Sequence, residues 1–129
     1  MTEQEFKDRT KQVALRIIKL VDSLPNTSAA QTIGRQLLRS GTSIGANYRA
    51  ACRGKSTADV VNKLAIVEEE ADESLYWLEL LIDAGIVQNT KLSSRYGEVN
   101  EIVAMVVSSI KTLRGRRTIQ NRKSKIQNV

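Results

Sequence analysis

Apolar residues recur along this chain at spacings of three, four and seven, the period of α-helices that bury one face. Phe6, Val13, Ile17, Leu20 and Leu24 make the first stripe and predict a helix from about Glu3 to Ser23. Pro25 stops it, and Asn26-Thr27-Ser28 supplies side-chain oxygens to cap the next helix. That second helix covers residues 28 to 54, with Ile33, Leu37, Ile44, Tyr48 and Ala51 on its apolar side. Its weak stretch is Ser40-Gly41-Thr42-Ser43, where glycine and β-branching lower helix propensity; a kink there would rotate Arg49 and Arg53 away from Arg35 and Arg39. Gly54-Lys55-Ser56 closes it, and Ser56 or Thr57 caps a third helix. Val60, Leu64, Val67, Ala71, Leu75, Leu78 and Ile82 form the third stripe, with Gly85 as its stop. A fourth helix starts near Thr90 and carries Leu92, Tyr96, Val99, Val103, Val106, Ile110 and Leu113. Such short connections make consecutive helices antiparallel neighbours. The expected architecture is all-α: an up-down-up-down four-helix bundle over residues 1–114, followed by a basic, flexible or frayed tail over residues 115–129.

Composition agrees with one helical domain. The chain has 129 residues, 4% aromatics and one proline, enough length to bury a core without disulfides or metal. Cys52 is the single cysteine, so no intrachain disulfide forms and a reducing cytoplasmic setting is expected. Without any histidine in the chain it has no imidazole base, and it reads as a small packing residue. The polar N-terminus is no signal peptide. The longest apolar run, Ile102 to Val107, is far below the roughly 20 residues of a membrane span, so no membrane partner is expected.

Charge is unevenly placed. Of 20 basic and 14 acidic residues, Arg114, Arg116, Arg117, Arg122, Lys123 and Lys125 account for the entire net charge of +6. Residues 29 to 55 hold five basic residues and no acid, whereas residues 59 to 83 hold eight acids against Lys63. On a helical projection of about 100° per residue, Arg35, Arg39, Arg49 and Arg53 fall on one stripe opposite the apolar face. Gly34, Gly41, Gly45 and Cys52 lie between, as a small-residue flank suited to close helix packing. Guanidinium groups at this spacing suit phosphate oxygens, and Lys55 with the tail cations extends the set. No aromatic side chain stands beside the stripe to stack a base, so binding would follow the backbone with weak sequence preference.

Some apolar residues sit off the main stripes. Ile66, Trp77 and Leu80 on the third helix, and Ile102 and Met105 on the fourth, point away from the expected core. Aromatic and Met residues so placed suggest a subunit interface, with a wide core or a covering chain end as the alternative. In the tail, Ile119-Gln120-Asn121 recurs as Ile126-Gln127-Asn128; a basic arm for phosphate backbones and a functionless duplication fit equally well.

Gln36-Leu-Leu-Arg-Ser-Gly-Thr-Ser-Ile-Gly-Ala-Asn47, Arg53-Gly-Lys-Ser56 and Glu68-Glu-Glu-Ala-Asp-Glu-Ser-Leu-Tyr-Trp-Leu-Glu79 together resemble the bacterial four-helix-bundle family encoded by intervening sequences in 23S ribosomal RNA genes. That family is also labelled S23. Relatives commonly carry Pro where Gly45 stands and Glu-Gly where Ala50 and Ala51 stand. The resemblance implies a homo-oligomer, typically a pentameric ring. It extends distantly to the accessory variability protein of diversity-generating retroelements, a basic pentamer that binds nucleic acid and a reverse transcriptase.

Three function classes follow. Catalysis is the weakest: there is no histidine, no Gly-x-x-x-x-Gly-Lys phosphate loop, and no Glu-x-x-His pattern of di-iron bundles. The acids Glu69, Glu70, Asp72 and Glu73 point around a helix instead of converging on a metal, and no cofactor is expected. The preferred reading is a non-enzymatic homo-oligomer that binds RNA or DNA through backbone contacts, as a candidate accessory to an RNA or reverse-transcriptase system. The alternative is a structural oligomer or protein-interaction adaptor whose basic second and acidic third helices neutralise each other.

Overall fold

A computed structural model describes the backbone of residues 1–127 and the side chains of residues 1–115. Four helices follow one another: α1 (Glu3–Asp22), α2 (Ser28–Cys52), α3 (Thr57–Asp83) and α4 (Asn89–Gln127). Each boundary has a local cause. Thr2 and Glu5 form a reciprocal capping box at the start of α1. Thr27 accepts from the Ala30 amide at 3.2 Å, and Ser56 from the Asp59 amide at 3.1 Å. Gly85 follows α3 with φ +70°, a left-handed conformation that glycine adopts without steric cost. The fourth helix continues into the segment expected to be a tail. Arg116, Arg117, Arg122, Lys123 and Lys125 carry side chains outside the described residues.

α2 shows no kink at Ser40-Gly41-Thr42-Ser43; it is one helix from Ser28 to Cys52. The hydroxyls that compete with helix elsewhere bond back along it here. Thr42 donates to the Leu38 carbonyl at 2.7 Å and Ser43 to the Arg39 carbonyl at 2.6 Å.

Contacts pair the helices in antiparallel fashion. Gly34, Gly41 and Gly45 of α2 meet Leu24 and Val21, then Ile17, then Thr10 of α1. Ser74 of α3 donates to Ser40 of α2 at 2.9 Å, and both residues are fully buried. Tyr96 of α4 donates to Glu79 of α3 at 3.1 Å. Arg9 pairs with Glu101 and Arg16 with Glu98, so α1 and α4 also run in opposite directions. The core is a continuous set of aliphatic side chains from all four helices, including Ile17, Leu37, Ile44, Leu78, Leu81, Leu92 and Ile102.

Two stripes differ from expectation. On α3 the buried residues are Val61, Leu64, Val67, Ala71, Ser74, Leu78 and Leu81; Val60, Leu75 and Ile82 are half-buried beside them. On α4 the buried residues are Leu92, Val99, Ile102, Val106 and Ile110. Ile102 is therefore not an interface residue: it is 0% exposed within a single chain. The reason is the width of the apolar arc on α4. Ile102 and Val103 are neighbours about 100° apart, and the packing of α4 against α3 and α1 selects the first as the inner position.

Two glycines and one core residue test this packing. A Cβ at Gly41 would run into the Ile17 side chain, whereas one at Gly97, in α4, meets nothing within 4 Å. Gly41→Ala is expected to destabilise the fold by about 1–3 kcal/mol. Gly97→Ala should instead stabilise it by up to about 1 kcal/mol, since it gains helix propensity without a clash. Chemical denaturation of the pair measures both signs. Ile102→Ala should cost about 2–5 kcal/mol as a core truncation. That cost should not depend on protein concentration, because Ile102 packs entirely within one chain.

Candidate nucleic-acid interface

The arginines of α2 divide into two groups. Arg39 leans toward α3, where Glu70 accepts from it at 3.2 Å and Glu73 forms a second ion pair with it. The Glu73 hydrogen bond, opposed by partial desolvation and aided by the charge of Glu70, holds the Arg39 guanidinium above its usual pKa. Both carboxylates thus engage the group a phosphate would need. Arg39 is a half-exposed clamp between α2 and α3 whose guanidinium already has two carboxylate partners. Arg35 is exposed, and its guanidinium bonds Thr32 Oγ1 of its own helix at 3.4 Å.

Arg49 and Arg53 lie on the other side of the same stripe, toward α1. On the projection Arg39 and Arg49 are about 80° apart, enough to aim one at each neighbouring helix. Arg49 lines two adjoining clefts between α1 and α2. One, of about 390 Å³, also contains Lys7, Arg53, Cys52 and Glu3. The other, of about 350 Å³, contains Lys7, Lys11, Thr10 and Gly45. Lys7 bonds Glu3 at 3.3 Å; among the described residues, Glu3 is the only carboxylate lining either cleft. The result is a groove with four cations from two helices. Lys7 and Lys11 are the members that sequence reasoning missed. Their signal was present, since both lie one helical turn apart on α1, but α1 as a whole is mixed in charge.

Lys55 is exposed just beyond α2, with its backbone amide donating to Asp59 at 3.2 Å. Arg114 is exposed on α4. The first turns of α1 and α3 and the last turn of α2 meet at this end of the bundle, so Arg53, Lys55 and the groove share it.

The small-residue flank faces α1. Gly34 and Gly41 are buried and Gly45 is half-buried, with Thr10 Oγ1 3.1 Å from where its Cβ would stand. Cys52 is half-buried near Glu3 and Tyr48. Burial, then the hydrogen bond to Glu3, raises the thiol pKa, so the thiolate is disfavoured at neutral pH. Burial likewise raises the Tyr48 phenol well beyond its ordinary value, with Cys52 adding to it. Glu3 is lowered, mainly by its hydrogen bond from Cys52 and then by Lys7. Among the described residues no group of His, Cys, Asp or Glu is arranged to hold a metal, and no helix is long and apolar enough to cross a membrane.

Ile66, Trp77, Leu80 and Met105 are not fully buried in the single chain. Trp77 packs against the core, yet its indole Nε1 is buried without an acceptor among the described residues. Tyr76 beside it is 53% exposed, with the two rings edge to face at 5.0 Å. Met105 receives a contact from Arg9 Nη1 at 3.6 Å.

Comparison with known proteins places this bundle. No curated protein matches the chain. A crystal structure of a protein with unknown function from the S23 ribosomal protein family, from Bacteroides thetaiotaomicron VPI-5482, superimposes with a TM-score of 0.80. The two are 40% identical over 86% of this chain and 99% of that one. The model of the 23S rRNA-intervening sequence protein family matches residues 2–108, which takes in all of α1, α2 and α3 and the cation groove. The chain belongs to the 23S rRNA-intervening sequence protein family.

Proposed function

We propose that this chain is a non-enzymatic, homo-oligomeric four-helix bundle that holds nucleic-acid backbones in the groove between α1 and α2. The observation that carries the reading is the grouping of Arg49 and Arg53 with Lys7 and Lys11, faced by the single carboxylate of Glu3. Four cations spread over two adjoining clefts suit an extended polyanion better than one compact anion, and guanidinium forks engage phosphate oxygens from two directions. Arg35 and Lys55 add exposed cations elsewhere on the surface, and Arg114 and the tail cations add to the basic charge by composition. Among the described residues no aromatic platform lines the groove, so the contact positions a backbone and does not read bases.

Oligomerisation multiplies this weak site. Repetition of one groove around a ring raises avidity without any new contact. The exposed Tyr76, with Trp77, Ile66 and Leu80 near it on α3, is the surface proposed for self-association, and the family resemblance favours five copies. A cytoplasmic accessory to an RNA or reverse-transcriptase system is the role this chemistry fits. The adaptor reading draws on Arg39, whose two carboxylate partners are an instance of the basic and acidic helices neutralising each other.

Binding of a labelled RNA hairpin and of duplex DNA, followed by fluorescence anisotropy, should weaken steeply with salt through counterion release. Arg49→Glu with Arg53→Glu should reduce affinity for both by about tenfold or more. Arg39→Glu should spare the salt slope and lower stability instead, because it sets a third carboxylate beside Glu70 and Glu73. If the Arg49/Arg53 variant binds as the parent does, or if it dissociates the assembly, the adaptor reading replaces this one.

Light scattering should give a mass several times 14.4 kDa. Tyr76→Glu and Trp77→Glu should each release monomers that keep their helical circular dichroism. Tyr76 is the cleaner probe, since it leaves the core untouched. A monomeric parent at micromolar concentration would remove the ring from the proposal.

A further inference from the structure

The end of the bundle opposite the cation groove holds a second basic feature. An open cleft of about 700 Å³ lies between the α1–α2 connection and the α3–α4 connection. That volume lies within the range of small-molecule sites. Lys19, Lys91 and Arg95 line it, together with an apolar floor that includes Leu24, Ile86 and Val87. Among the described residues no carboxylate lines it.

Helix electrostatics account for one of these cations and not for the other two. Lys19 stands in the last turn of α1, where a cation complements the negative helix end. Lys91 and Arg95 stand in the first two turns of α4, whose first turn contains no acid. There they oppose the positive end of the helix, an arrangement that destabilises unless an anion sits nearby. Arg95 shows the same unmet demand in its hydrogen bonds. Its Nη1 donates to the Lys91 carbonyl at 2.5 Å, while its buried Nε has no acceptor among the described residues. Arg95 itself lines the cleft, so its unpartnered donor stands at the site an oxyanion would enter.

We propose that this cleft binds a phosphomonoester with a short apolar body. The dianion answers Lys19, Lys91, Arg95 and the α4 N-terminus together, and the body covers Leu24, Ile86 and Val87. None of the residues of the α1–α2 groove takes part, so this site and the nucleic-acid reading stand or fall separately.

The test is a ¹H–¹⁵N correlation titration of the full chain with n-butyl phosphate, inorganic phosphate and n-butanol. Butyl phosphate should give saturable shifts at Lys19 and from Gly85 to Arg95, with a dissociation constant at least about threefold below that of inorganic phosphate. Butanol should give none. Arg95→Gln and Lys91→Gln should each raise the butyl phosphate constant by about tenfold, with unchanged circular dichroism, and Lys11→Gln should leave it alone. Vesicles of phosphatidylcholine with phosphatidic acid separate the two sources of such a group. Co-sedimentation that Arg95→Gln abolishes assigns the phosphate to a lipid headgroup, and its absence beside butyl phosphate binding assigns it to a free metabolite. Shifts no larger here than around Arg49, equal affinity for inorganic phosphate, or an Arg95→Gln variant that binds like the parent would overturn the proposal.

Discussion

Close approach of α2 to both of its neighbours is the constraint on which the rest of this bundle rests. On one side Gly34, Gly41 and Gly45 let α1 lie against the backbone of α2, with Ile17 filling the space a side chain at Gly41 would take. On the other side Ser40 and Ser74 meet at 2.9 Å in a site without solvent. Each hydroxyl also has a carbonyl of its own helix within reach, Leu37 for Ser40 and Glu70 for Ser74. Two small polar residues thus pair completely, and neither leaves a donor unmet in the core. A large residue at any of these five positions would push a helix outward and open the aliphatic core behind it.

The same closeness decides what the arginines do. With α2 and α3 drawn together at Ser40 and Ser74, Arg39 reaches Glu70 and Glu73 along α3. Partly exposed pairs of this kind contribute little net stability, but they fix which residues lie opposite each other. With α1 drawn in at Gly45, Arg49 stands over Lys7 and Lys11. A helix that packs tightly on two sides converts one stripe of like charges into a clamp and a groove.

How much of this was legible varies with the kind of signal. Helix ends were readable because caps are local: Thr27, Ser56 and Gly85 act within their own turn. The first apolar stripe was readable although α1 also offers Ile18 beside Ile17 and Val21 beside Leu20, since Phe6, Val13, Ile17, Leu20 and Leu24 are the buried set; Thr10, buried at 1% exposure with its hydroxyl bonded to the Lys7 carbonyl, gave no apolar signal. The stripes of α3 and α4 were readable only in part. Val60 and Val61, Leu80 through Ile82, and Ile102 and Val103 offer adjacent apolar choices, and the packing partner decides among them. The single helix α2 was readable from its stripe, and only its weakness at Ser-Gly-Thr-Ser was overstated, since propensity describes an isolated helix and these hydroxyls bond along a packed one. In the candidate site, Arg49 and Arg53 were visible as cations, but their company was not. Lys7 and Lys11 join them from a different helix, a relation that no local pattern encodes.

The bundle therefore separates its chemistry by helix face. Ion pairs span two seams: Arg39 joins α2 to α3, and Arg9 and Arg16 join α1 to α4. Cations with few acidic neighbours gather elsewhere. Arg49 and Arg53 meet Lys7 and Lys11 between α1 and α2, and Lys19, Lys91 and Arg95 line a cleft with an apolar floor where the chain turns. Lys7 and Lys11 flank Arg9 along α1, so the neighbour each face meets decides between ion pair and open cation: α4 supplies Glu98 and Glu101, whereas α2 has no acid between residues 29 and 55. Unbalanced cations on such faces are the ones a bundle can offer to a ligand without loosening its core.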